Sequence, residues 1–141
     1  MTETMRTRLL FFHKQSTSGR TRFLRFRHGV CGFAPLPEGS RLREAGDDPP
    51  PVVVHPAAAL REAARRLGLP EDRLRAEAEF DAWAETPEGE LQVLLVAFAT
   101  IDPPFVEAEA VGARFIPLTE ARGLPRVEME LLRRAYEHVL G

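Results

Sequence analysis

The run ELQVLLVAFATI, residues 90–101, is nearly all apolar. A strand with one wet face alternates apolar and polar residues, so an unbroken run of this kind reads as a strand buried on both faces. A chain of 141 residues is long enough for one domain with a single two- or three-layer core around such a strand. The rest of the chain supplies the layers. TRLLFFH (7–13) is a short apolar and aromatic run closed by the turn-rich KQSTSGR. TRFLRFRHGVCGFAPL (21–36) follows, and the two read as a hairpin or neighbouring strands. In its first part Leu24 and Phe26 share one face while Phe23, Arg25 and Arg27 take the other.

Between 37 and 51 the sequence carries four prolines, two glycines and four acids, which predicts a long surface loop. VVVH (52–55) predicts a short strand, and Pro56 suits the first turn of a helix because its missing N–H would have no partner there. Residues 57–67 place Leu60, Ala63, Ala64 and Leu67 at i, i+3, i+4 and i+7, a core-facing helical stripe that leaves Arg61 partly shielded. Gly68 and Pro70 stop that helix. Residues 73–86 alternate imperfectly, with Ala76, Ala78, Phe80, Ala82 and Ala84 on one face. After the buried run, 102–112 reads as a loop, 113–118 as a strand and TEARGL as one helical turn. Residues 127–140 form a closing helix with Val127, Leu131, Ala135 and Val139 inward. The order predicts a mixed α/β sandwich with one central and one C-terminal helix.

Composition excludes more than it assigns. A net charge of −2 provides no general field for nucleic acid or a membrane surface, and no apolar run approaches the length of a transmembrane helix. MTETMRTRLLFFHKQ has only four consecutive apolar residues and no small-residue cleavage site, so no signal peptide is expected. The lone Cys31 has no internal disulfide partner, which fits a reducing cytosol. Lys14 is the single lysine against eighteen arginines, and the chain has no Asn and two Gln. Depletion of thermolabile amides fits a heat-adapted source, as a GC-rich genome would also favour Arg, Ala and Pro.

The helix at 57–69, AAALREAARRLGL, resembles the second half of the Nudix box, G-x5-E-x7-R-E-U-x-E-E-x-G-U. Arg61, Glu62, Gly68 and Leu69 match it in register. LPEG (36–39) resembles its opening, and EAEAVGARFIPLTEARGL (107–124) is similar to the acid-rich loop, strand and short helix that follow the box. The resemblance implies a Nudix-like α/β/α sandwich over residues 1–141. In an active member it implies hydrolysis, with Mg²⁺ or Mn²⁺, of nucleoside diphosphates linked to another moiety.

The acids depart from that pattern. The two adjacent Glu of the box fall on Arg65 and Arg66. Its first Glu falls on Val53 when counted without a gap, or on Ala45 when the box opens at Gly39. Residues at i, i+3 and i+4 share a helix face. The family pattern there projects three carboxylates suited to hard cations, which polarise a phosphoryl oxygen and activate water. With Glu62, Arg65 and Arg66 in those positions the local charge changes from −3 to +1.

The expectation is therefore a decayed catalytic box with no cofactor. It would bind a nucleotide or other phosphorylated small molecule, or serve a regulatory or scaffolding role. Candidate ligand-binding residues are Arg25, Arg27, Arg61, Arg65 and Arg66, since guanidinium presents a planar fork to phosphate. Arg20, Arg22, Arg25 and Arg27 read equally as strand-edge charges that discourage aggregation. The ordinary reading of Arg65 and Arg66 is a solvated face paired with Glu62, as charge runs usually are. Under the hydrolase alternative, Glu62 is the one surviving metal ligand, with Glu107 and Glu109 as candidate bases. Glu38, Glu44, Asp47 and Asp48 could then rebuild a metal site from the loop. His13, His28, His55 and His138 show no ligand spacing. Cys31, Phe80, Trp83 and Phe98 read as core. A phosphorylated ligand and a second copy of the chain are the candidate partners; membrane and nucleic acid are not expected.

Overall fold

A computed structural model describes residues 7–44 and 55–141. Of the strand predicted at 52–55, residues 52–54 lie outside the described residues, as do Asp47 and Asp48, and His55 caps the helix Pro56–Leu67 instead. The strands are β1 (Thr7–Lys14), β2 (Thr21–Arg25), β3 (Cys31–Gly32), β4 (Arg41–Leu42), β5 (Leu74–Ala76), β6 (Ala82–Thr86), β7 (Gly89–Phe98) and β8 (Arg114–Ile116). The helices are α1 (Pro56–Leu67), α2 (Phe105–Ala110) and α3 (Arg126–Leu140), with single 3-10 turns at Glu71–Arg73 and Leu118–Glu120. The fold is α/β. Among the described residues, no helix is long and apolar enough to cross a membrane.

β7 is the strand that the apolar run predicts, and Leu91 through Phe98 are all buried. It pairs in parallel with β1, Leu9 opposite Leu94 and Phe11 opposite Val96. On its other edge it pairs antiparallel with β6 and, further along, with β5. The sheet runs β4-β6-β7-β1-β2-β8, with β3 added to β1 beside β2. Alternation along the central strands divides the core in two. Leu10, Phe12, Val93, Leu95 and Ala97 meet Leu131, Leu132 and Ala135 of α3. Leu9, Phe11, Leu94, Val96 and Phe98 meet Ala59, Ala63, Ala64 and Leu67 of α1, with Ala108 of α2. Helices thus cover both faces of a mixed sheet.

α1 begins and ends as its sequence predicts. Pro56 takes the first position, His55 Nδ1 accepts the Ala57 N–H, and Gly68 adopts a left-handed φ of 69° that closes the last turn. Its apolar stripe keeps Ala63, Ala64 and Leu67 buried as predicted, with Leu60 packed against the same core. Ala59 is buried where Leu60 was expected, and Leu60 is only half-buried. Arg61 is not shielded either, being 66% exposed and 3.7 Å from Glu71. Besides Leu67 the buried residues of α1 are the alanines Ala59, Ala63 and Ala64, which share a core with Phe11, Phe26 and Phe98.

Two further expectations are corrected. Residues 102–112 are not all loop, because Phe105–Ala110 forms α2, with Ala108 buried. Residues 73–86 are not one strand: β5 and β6 are separate and Ala78 between them is exposed. On α3, Leu131 and Ala135 are buried and Val127 and Val139 are half-buried against the same core, as expected, and Glu128 and Leu132 are buried beside them.

Candidate functional site

Ala59, Glu62 and Arg66 lie at i, i+3 and i+7 on α1 and face the start of β1. Between them and the segment running from β3 lies a pocket of about 230 Å³. Thr7, Arg8 and Leu9 of β1, Gly32 of β3, and Phe33 and Ala34 after it complete its lining.

Glu62 is the centre of the charge arrangement. Its Oε1 accepts from Arg65 Nε at 3.2 Å, and its Oε2 accepts from Arg65 Nη2 and from Arg66 Nε, the latter at 3.0 Å. Both carboxylate oxygens are engaged. The Arg65 hydrogen bonds, then those of Arg66, hold the Glu62 carboxyl below the usual carboxylate range. Glu62 in turn raises the pKa of Arg65. Arg66 also lies over the Phe33 ring, 5.0 Å from its centroid. Phe33 is fixed edge-on by Phe11 and Phe26, at 5.7 and 5.5 Å. The aromatic contacts continue from Phe11 to Phe98, Phe115 and Phe105 at α2.

The residues do not fit a divalent-metal site. Mg²⁺ asks for several unencumbered oxygen ligands, whereas Glu62 is the single carboxylate here and two guanidinium groups occupy its oxygens. Among the described residues, no group of three His, Cys, Asp or Glu could hold a metal ion. Glu38 is exposed in a turn, and Glu44 lies near Arg134 of α3, on the face of the sheet opposite Glu62.

Of the predicted site residues, the structure brings together Glu62, Arg65 and Arg66. Arg61 turns to Glu71. Arg25 lies on the α3 face and donates to the Glu120 carbonyl at 3.4 Å, and Arg27 lies against Gly112. Glu107 and Glu109 belong to α2 and do not line the pocket. His13 is buried, with Nε2 2.8 Å from the Thr100 carbonyl. His138 is 3.4 Å from Glu77, and His28 Nε2 is 2.5 Å from the Cys31 carbonyl. Cys31 is fully buried, and burial, then the Glu128 charge, pushes its thiol well above the ordinary range. Trp83 and Phe98 are buried in β6 and β7, and Phe80, between β5 and β6, is half-buried against the core.

Sequence reasoning missed three residues. Thr7 opens the apolar run of β1 on the same face as Leu9 and Phe11, a period-2 signal that was available. Phe33 stands among apolar residues with nothing to mark its role. Glu128 is 1% exposed and accepts the Val30 N–H at 2.8 Å. It stands at i−3, i−4 and i−7 to Leu131, Leu132 and Ala135, an acid on an apolar stripe. Burial raises its pKa, partly offset by the Val30 hydrogen bond and by His28 and Arg25.

No family model matches the chain, and no curated protein matches it at a meaningful level of similarity.

Proposed function

We propose that this chain is a Nudix-like domain that binds a nucleotide or another phosphorylated small molecule in the α1–β1–β3 pocket, with little or no hydrolysis. The observation that carries this reading is the state of Glu62, closed by Arg65 and Arg66 at the rim of a pocket that Arg66 shares with Phe33. That rim carries a net positive charge and offers forked donors to phosphate oxygens. It lacks the oxygen cluster that would hold a metal to activate water. Apolar walls and a few placed polar groups are the usual make-up of a small-molecule site. A regulatory role through such binding suits the same geometry, and a reducing cytosol suits the buried free thiol of Cys31.

The test combines turnover and binding on a panel of nucleoside monophosphates, diphosphates and diphosphate-linked compounds. The expected result is a ligand-induced rise in melting temperature with no phosphate or monophosphate released in Mg²⁺ or Mn²⁺. Turnover that a chelator abolishes, and that Glu62→Gln also abolishes, would overturn the reading in favour of a metal-dependent hydrolase.

A further inference from the structure

Glu62 does not hold its two arginines in the same way. Arg65 gives both Nε and Nη2 to the carboxylate, so one whole edge of its guanidinium is used. Arg66 gives Nε alone. A guanidinium carries five N–H donors in one rigid plane, so Arg66 keeps the four on Nη1 and Nη2. Among the described residues, none of those four has an acceptor. The Arg66 guanidinium is nonetheless held on two sides. Glu62 takes Nε while the guanidinium carbon stands over the Phe33 ring, and Phe33 is itself packed edge-on against Phe11 and Phe26.

Arg66 lines the pocket, and its side chain is 49% exposed. Nη1 and Nη2 present parallel N–H groups that match the paired oxygens of a terminal phosphate. A long side chain loses rotamer freedom when it takes a ligand. Arg66 is already restrained, and such preorganisation favours affinity. Lysine would supply the same charge but neither the plane over Phe33 nor the two-pronged edge. The carboxylate beside Arg66 then decides a sign. A bystander acid next to an anion site repels the ligand, so its removal tightens binding. An acid that holds the arginine through Nε has the opposite effect, and loss of its acceptor weakens binding.

We propose that the Nη1–Nη2 edge of Arg66 takes the terminal phosphate of the ligand, and that Glu62 is a positioning residue that holds this edge in place. Arg65 supports the arrangement by engaging both oxygens of Glu62. This assignment rests on the phosphorylated-ligand reading above and names the atoms that take the phosphate.

The test is calorimetry on the full chain in chelator with AMP and ribose 5-phosphate, and with adenosine and ribose as their phosphate-free partners. Wild type should bind at least one of the two phosphates tenfold more tightly than its phosphate-free partner. Arg66→Lys should cut that margin at least fivefold. Glu62→Gln and Glu62→Leu remove the same charge, but only glutamine keeps an acceptor for Nε. Glu62→Gln should therefore keep the margin, whereas Glu62→Leu should cut it at least fivefold. Glu62→Ala should follow Glu62→Leu, and it replaces that variant if leucine disturbs the helix. Equal margins with and without the acceptor, a margin in Glu62→Leu or Glu62→Ala at or above wild type, or an unchanged margin in Arg66→Lys would overturn the assignment. Wild type binding AMP and ribose 5-phosphate no better than adenosine and ribose would overturn it and leave nucleotide binding through other contacts standing. Binding of none of the four would overturn both.

Discussion

Replacing Gly29 with alanine is expected to unseat the Glu128 carboxylate. Gly29 has φ 140°, and a Cβ there would stand 2.3 Å from Glu128 Oε1 and 2.9 Å from its carboxyl carbon. The carboxylate must then leave the Val30 N–H that it accepts at 2.8 Å. Val30 is fully buried, so that donor has no access to water. An orphaned buried donor costs about 1–3 kcal/mol, and an L-residue held at such a φ costs a further ~1–3 kcal/mol. The sum, about 2–6 kcal/mol, corresponds to a fall in melting temperature on the order of 10 °C for a domain of this size. Chemical denaturation of Gly29→Ala, Glu128→Ala and the double mutant separates the two parts. With Glu128 truncated, the clash and the stolen hydrogen bond are absent, so Gly29→Ala should then cost only the backbone part, ~1–3 kcal/mol. Independent sites add within roughly 0.5 kcal/mol. If Gly29→Ala costs the same in both backgrounds to that margin, the carboxylate does not stand against Gly29 and the described link between α3 and the turn after β2 is wrong.

Two further perturbations address charge. Arg65→Glu with Arg66→Glu restores three carboxylates on one face of α1. The double mutant should melt below wild type in chelator and rise in millimolar Mn²⁺ or Mg²⁺ by mass action, while wild type barely moves. An equal metal response in wild type would show that the arginines do not close the site. Glu128, whose folded pKa is raised by burial, favours folding most below its unfolded pKa and loses that contribution as pH rises through the folded value. Glu128→Gln keeps an acceptor for Val30 and removes the charge. Its melting temperature relative to wild type should therefore increase from acidic to neutral pH, and a flat or falling difference contradicts the assignment.

The fold was legible where one force dominated. The unbroken apolar run of β7 could be covered only on both faces, and Pro56 with Gly68 bounded α1 through backbone chemistry alone. What tertiary packing decides was not legible. On α1 Ala59 is buried and Leu60 only half-buried against the same core, and periodicity alone fits either. α2 is too short for a helical repeat to stand out beside the DPP that precedes it. At the site, the i, i+3, i+4 spacing foretold that Glu62 meets Arg65 and Arg66. It said nothing of Phe33, which reaches Arg66 only through the pairing of β3 with β1, 33 residues away along the chain. Arg25 and Arg27 share a basic stretch with no counterpart on α1, and the sheet separates Arg25 from it.

The central claim is that arginine, and not a metal ion, supplies the positive charge at this pocket. Calorimetric titration of ADP into the wild-type chain, once in chelator and once in excess Mg²⁺, tests it most directly. Binding in chelator should be at least as tight as in Mg²⁺, and Arg66→Glu should weaken it at least tenfold. Binding that appears only with Mg²⁺, or that survives Arg66→Glu unchanged, would contradict it.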